Sequence, residues 1–242
     1  MLRTIFSWIG IVLSTTIFGT LGVILSFISP NNLLFKYAVR PWGYFALKAC
    51  GVKLDVEGLE NLPKEPCVIM YNHQSSFDIF AFAAALPIPW KGVIKKEVAR
   101  IPFVGWVTRM TGHYFVSRDG SIKDINELKK MVERIRSGPS VLIAPEGTRS
   151  PDGKLLPFKT GGFVLAMQAG VPVVPMVIHG GNDINPKGSK KIIPGVMKVK
   201  ILPPIDVKQL PPGKEGREEL SKLVRKDMER VLAEAERTKV AL

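Results

Sequence analysis

Cysteine is scarce in this chain. Cys50 and Cys67 are the only two in 242 residues, with neither the spacing of a metal site nor the density of a disulfide scaffold. Both read as reduced packing residues of a protein facing the cytosol. Acidic residues are also few, 21 against 34 basic ones, which leaves a net charge of +13. Nucleic acid, an anionic membrane or a phosphorylated substrate would each match that balance. A nucleic-acid reader carries a known module or aromatics interleaved with its basic residues. The chain has neither, so nucleic acid is set aside as a partner. The basic excess gathers in two stretches: Lys91 to Arg118 holds six basic residues against Glu97 alone, and Lys187 to Lys200 holds five and no acid. There is no Gly-x-Ser-x-Gly elbow for a serine nucleophile, no internal repeat and no second core.

Charge is missing altogether from Ile5 to Ile28, and Arg3 is the only charged residue before Lys36. A helix of that length, at about 1.5 Å per residue, is long enough to cross a hydrocarbon core. The run is too long for the apolar part of a signal peptide and no small-x-small cleavage site follows it. It is expected to enter the membrane, either crossing it or dipping into one leaflet, and Ser14, Thr15 and Thr16 at its middle suit a shallow insertion. Beyond it, Phe35, Ala38, Val39, Trp42, Phe45, Ala46 and Ala49 recur at helical spacing, with Lys36, Arg40 and Lys48 on other faces. This is a basic amphipathic helix, lying in the headgroup layer or packed on the domain. Pro41 kinks it or marks its start. Lys36 and Arg40 place the following chain on the cytoplasmic side. Residues 1–50 are thus read as membrane helices that anchor the chain to anionic phospholipid, and residues 51–242 as one globular domain.

From Val52 onward short apolar strands alternate with helical patterns, which predicts an α/β fold with a mixed, largely parallel sheet flanked by helices. The expected strands are Lys53–Glu57, Cys67–Tyr71, Gly92–Lys95, His113–Val116, Ser140–Ala144, Val173–Ile178 and Lys198–Leu202. The expected helices are Ser76–Leu86, Ile122–Ser137, Gly162–Ala169 and Lys214–Arg237. Two strand ends, where α/β sheets bind ligands, carry polar runs: Asn72-His73-Gln74-Ser75-Ser76-Phe77-Asp78 and Pro145-Glu146-Gly147-Thr148-Arg149-Ser150.

In the first run Ser75 caps the coming helix and Asp78 falls at its third position, a capping arrangement with a histidine in front. The same turn brings the Asp78 carboxylate back to the imidazole. It would then hold one ring nitrogen as N–H and leave the other to accept a proton. Glu146 and Arg149 read either as a surface ion pair or as ligands for an anionic substrate, and a guanidinium fork matches phosphate oxygens. His73, Asp78 and Glu146 would be the ligands of a metallohydrolase, but further His, Asp or Glu are too sparse around these blocks, so no metal is expected.

Asn72–Asp78 resembles the His-x4-Asp motif of the glycerolipid acyltransferases, and Pro145–Ser150 resembles their Pro-Glu-Gly-Thr-Arg-Ser motif. Gly112–Arg118 is similar to the block between them, and Val171–Pro175 to their proline-containing fourth block. The order and spacing agree over Asn72 to Ile178, and Ala144 stands where phenylalanine is common. The nearest resemblance is to the bacterial 1-acylglycerol-3-phosphate acyltransferases. It implies transfer of a fatty acyl group from acyl-CoA or acyl carrier protein to the sn-2 hydroxyl of lysophosphatidic acid, without a cofactor. Glycerol 3-phosphate or another lysophospholipid is the alternative acceptor. His73 would be the general base and Asp78 its orienter. Glu146, Gly147, Thr148 and Arg149 would bind the acceptor, with Arg118 as a second phosphate ligand. Backbone N–H groups near His73 or Gly147 would hold the oxyanion. The resemblance also implies residence on the inner (cytoplasmic) membrane with the catalytic domain in the cytoplasm.

Overall fold

The computed structural model describes residues 1–28, 32–116 and 122–240. Seven strands form one sheet in the order β1-β7-β6-β2-β5-β3-β4: β1 Val52–Glu57, β2 Val68–Tyr71, β3 Trp90–Lys95, β4 Tyr114–Val116, β5 Ser140–Ile143, β6 Val173–His179 and β7 Gly195–Ile201. All pairings are parallel except β6 with β7. β2 and β5 lie at the centre and every residue in them is buried, which is why each is a short apolar run and not an alternating one. The expected mixed, largely parallel sheet is therefore present, with all seven strands within a few residues of their expected ends.

The helices are α1 Leu2–Ile28, α2 Asn32–Leu34, α3 Arg40–Ala49, α4 Asp78–Ala85, α5 Val104–Met110, α6 Ile122–Ser137, α7 Gly161–Ala169, α8 Gly181–Ile184 and α9 Gly213–Val240. One face of the sheet packs on a core shared by α1, α3 and α4, including Ile11, Ala46, Leu47, Phe80 and Trp90. The other packs on α6, α7 and α9 through Met131, Ile135, Phe163, Leu220 and Val224. Helix α5 was not among the expected elements. Its seven residues are too few to establish a period in the sequence.

Pro41 starts α3 behind a π-helical turn, Phe35–Val39. The wider turn accommodates the ring and the missing N–H that proline would otherwise force on a regular helix. Only part of the expected apolar face of α3 is buried: Ala46 is and Trp42 is half-buried, while Phe45 and Ala49 are exposed. At Gly43 an added Cβ would lie 2.6 Å from the Phe80 carbonyl oxygen and 2.7 Å from the Ala84 nitrogen. Glycine thus lets α3 meet α4 backbone to backbone, so α3 is a core element of the domain.

α1 is built inside out by the standard of a soluble protein. Its buried residues are Ser7, Ile11, Ser14 and Gly22, whereas Ile5, Phe6, Ile9, Val12, Leu13, Ile17 and Ile24 are exposed. Gly10 sits against Ala49 and Gly19 against Phe103, and the Trp42 indole N–H donates to Thr15 at 3.0 Å. The middle hydroxyls therefore serve partly as contacts to the protein. The helix is long and apolar enough to cross a membrane, yet it lies with one side along α3 and α5 and turns its large apolar side chains outward.

Candidate active site

β2 ends at Tyr71, and the next side chain extends the sheet where the backbone leaves it. Buried Asn72 donates to the Ile178 carbonyl at 2.8 Å and accepts the Ile178 N–H at 2.7 Å. The sequence marked no role for Asn72. Its signal was an amide side chain directly after a wholly apolar strand. Fixed there, the chain turns so that His73 Nδ1 lies 2.7 Å from Asp78 Oδ2. A carboxylate only accepts, so Nδ1 carries the proton and Nε2 is left as an acceptor. Asp78 is fully buried, whereas 22% of the His73 side chain is exposed.

The same Asp78 oxygen accepts the N–H groups of Gln74 at 2.8 Å and Ser75 at 3.0 Å, while Ser75 Oγ accepts the Phe77 N–H at 3.2 Å. The N–H groups of the turn and the histidine contact thus share one oxygen. The expected Ser75 cap does not form: Phe77 precedes the helix and no side chain caps it. Because the turn is this tight, regular helix begins at Asp78 and not at the expected Ser76.

The second block closes over the first. Glu146 is buried; its Oε1 accepts the His73 N–H at 2.8 Å and its Oε2 the Leu156 N–H at 2.9 Å. Burial pushes this carboxyl above its ordinary value, opposed by the N–H donors of Leu156 and His73. Ser150 N–H donates to the His73 carbonyl at 2.7 Å, so the histidine backbone is held on both sides. Glu146 is therefore buried and faces backbone N–H groups with both oxygens, and it makes no ion pair with Arg149 among the described residues. Gly147 has φ 68°, the left-handed region that favours glycine, and a Cβ there would meet the flexible Lys159 side chain at 3.0 Å. Thr148 and Arg149 are half-buried on the same loop, and the Arg149 carbonyl accepts Lys187 Nζ–H at 2.8 Å. Arg118 lies outside the described residues.

The amides of His73, Gln74, Ser75 and Gly147 all donate within these turns, so they are engaged in holding the site and not turned to a substrate oxyanion. His113 is half-buried and lies edge-on to Trp90. Burial, with the Lys91 charge second, pushes its imidazole down to about 3. An apolar cleft lies between α1, α3 and α5, lined by Ile79, Trp90 and His113 among others; neither His73 nor Asp78 lines it.

Comparison with known proteins agrees with this geometry. The family model Acyltransferase matches residues 53–179. A 1-acyl-sn-glycerol-3-phosphate acyltransferase of Pseudomonas aeruginosa is 33% identical over 207 residues, covering 84% of this chain and 80% of that protein. One of Saccharomyces cerevisiae is 34% identical, covering 90% of this chain and 72% of that one. The crystal structure of the 1-acyl-sn-glycerophosphate acyltransferase of Thermotoga maritima superposes with a TM-score of 0.81 at 29% identity, over 96% of this chain and 95% of that one. The chain belongs to the acyltransferase family and, within it, to the 1-acyl-sn-glycerol-3-phosphate acyltransferases.

Proposed function

We propose that this enzyme transfers a fatty acyl group from a thioester, carried on coenzyme A or acyl carrier protein, to the sn-2 hydroxyl of lysophosphatidic acid, forming phosphatidic acid. The observation that carries the reading is the 2.7 Å contact of His73 Nδ1 with Asp78 Oδ2 at a strand end. Asp78 keeps the proton on Nδ1, and Nε2 takes the proton of the acceptor hydroxyl. The hydroxyl oxygen bonds to the thioester carbonyl carbon, the tetrahedral adduct expels the thiolate, and the imidazolium returns its proton to sulfur. A thioester is already activated, so the acceptor needs only deprotonation and placement. An acyl-serine route is disfavoured because both nearby hydroxyls donate to Asn185, Ser75 at 2.8 Å and Ser76 at 2.6 Å.

Arg149 is the phosphate ligand, with Gly147 and Thr148 on its loop and Arg118 as a second cation. Glu146 acts from behind, through the His73 backbone. The apolar cleft between α1, α3 and α5, which Ile79 of the helix after His73 helps to line, suits an acyl chain. Residues 1–50, whose α3 also packs into the core of the domain 51–242, anchor the chain to the cytoplasmic face of the inner membrane. The outward apolar strip of α1, laid side-on against α3 and α5, favours burial in one leaflet over a crossing.

The test is thiol release from acyl-CoA and from acyl carrier protein thioester, each with lysophosphatidic acid, glycerol 3-phosphate and a neutral monoacylglycerol. Release that depends on lysophosphatidic acid is expected. Release that follows glycerol 3-phosphate instead would reassign the acceptor, and none with either donor would overturn the reaction.

A further inference from the structure

We propose that Asn185 is a positioning residue for the transfer, clamping the turn that holds His73 against Asp78. The proposal rests on the reading of that pair as the base and its orienter. Asn185 lies just beyond α8, far from the His73 and Arg149 blocks in sequence, and is 2% exposed. Its Oδ1 accepts the Ser76 hydroxyl at 2.6 Å, and its carbonyl accepts the Ser75 hydroxyl at 2.8 Å. Both its amide hydrogens are used as well, to the carbonyls of Ser189 at 2.9 Å and Lys191 at 3.0 Å.

Only a side chain with an acceptor on one branch and two donors on the other meets these demands. Aspartate would set a charged oxygen against two carbonyl oxygens, and alanine would leave them and the Ser76 hydroxyl unpaired.

The same segment touches Asp78 directly. A Cβ on Gly181 would lie 2.9 Å from Asp78 Oδ1 and 3.0 Å from Ser75 Cβ. That Oδ1 is buried and has no hydrogen-bond partner among the described residues. One oxygen of the carboxylate is therefore placed by packing against α8, while the other is fixed by backbone N–H groups of the turn that Asn185 grips. On its far side Asn185 holds the loop whose Lys190 carbonyl accepts the Trp8 indole N–H of α1 at 2.9 Å. It thus stands between the catalytic turn and a loop seated on the apolar helix. A reacting group misplaced by about 1 Å costs on the order of 10²-fold in rate, so a loosened turn should affect turnover before it affects acceptor binding.

The experiment is a cycle of N185A, S76A and the double variant in the full-length protein, with two readouts. In steady-state kinetics, N185A should lower kcat about 10- to 100-fold and leave KM for the acceptor within about threefold. S76A should lower kcat too, and the double variant should be no slower than N185A, because both changes remove one contact. In NMR, the hydrogen-bonded Nδ1 proton of His73, one of three histidines, should be present in wild type and lost or broadened in N185A well below its melting temperature. Multiplying effects, or an unchanged kcat with only a lowered melting temperature, would make Asn185 a stability residue and overturn the proposal. So would an unaltered His73 signal in N185A. Should N185A fail to fold, S76A alone decides, since a normal kcat in folded S76A overturns it. A wild type that shows the His73 signal but no turnover would instead sink the parent reading.

Discussion

Glu146 holds His73 from 73 positions away, its Oε1 accepting the His73 backbone N–H at 2.8 Å. The acid of the second block thus supports the histidine through its backbone. Glu146→Gln keeps one acceptor but sets an amide NH2 opposite one of the two backbone N–H groups. It should lose roughly 1–3 kcal/mol of stability and lower kcat, checked by thermal melts and steady-state rates. The melts also carry a pH signature. Burial raises the folded-state value of Glu146, so its contribution is complete below the ordinary carboxylate value of about 4.3 and is lost as pH rises through the raised one. The stability gap between wild type and variant should therefore narrow as pH rises above about 4.3; a gap that widens would contradict this.

His73→Ala should cut turnover by about 10²- to 10⁴-fold with little change in melting temperature. The contacts that fold this turn onto the second block are made by the His73 backbone, to Glu146 and Ser150, and alanine keeps both. Activity within about threefold of wild type would exclude His73 as a general base acting on this scale.

Asp78→Asn separates two effects. The amide oxygen can still accept from Gln74 and Ser75, so the turn should form. The NH2 then takes the place of Oδ1, which is buried with no partner among the described residues, and an unsatisfied buried donor costs about 1–3 kcal/mol. A kcat loss of about 10² or more is expected, from the missing anion beside the imidazole. Near-normal turnover with a lowered melting temperature would leave Asp78 as a cap alone.

Arg149→Ala should act on the phosphorylated acceptor. Losing a charged hydrogen bond costs roughly 1.5–3 kcal/mol, about 10- to 150-fold in kcat/KM, and a neutral monoacylglycerol should be spared. Equal losses with both acceptors would make Arg149 a structural residue of its loop.

Ile9 and Leu13 stand outward on α1, 47% and 56% exposed, so the double change to glutamate should leave the fold alone and weaken membrane attachment. Flotation with liposomes reports the second, and circular dichroism the first. Charges in hydrocarbon cost about 2.5–3.5 kcal/mol each at the centre of the layer, so partition should fall sharply. Undiminished flotation would show that α3 or the basic loops, and not α1, are the principal anchor.

The sequence by itself determined the α/β class, the seven strands, the chargeless helix and the two polar runs at strand ends. Each is written in local terms: period, length, capping residues and turn residues within a few positions. The His73–Asp78 contact was legible for the same reason, since a five-residue turn holds both partners. Tertiary structure decided the rest. That Glu146 faces the His73 backbone, that Asn72 extends the ladder to β6, and that Asn185 grips Ser76 across 109 positions all follow from strand order. The centre of the sheet sets β2 between β5 and β6, and no local pattern encodes which strands become neighbours. The side-on seat of α1 belongs here too. A run apolar on every face marks a helix for hydrocarbon but no preferred side, and only the small residues Gly10, Ser14, Gly19 and Gly22, once met by α3 and α5, select the face that packs inward.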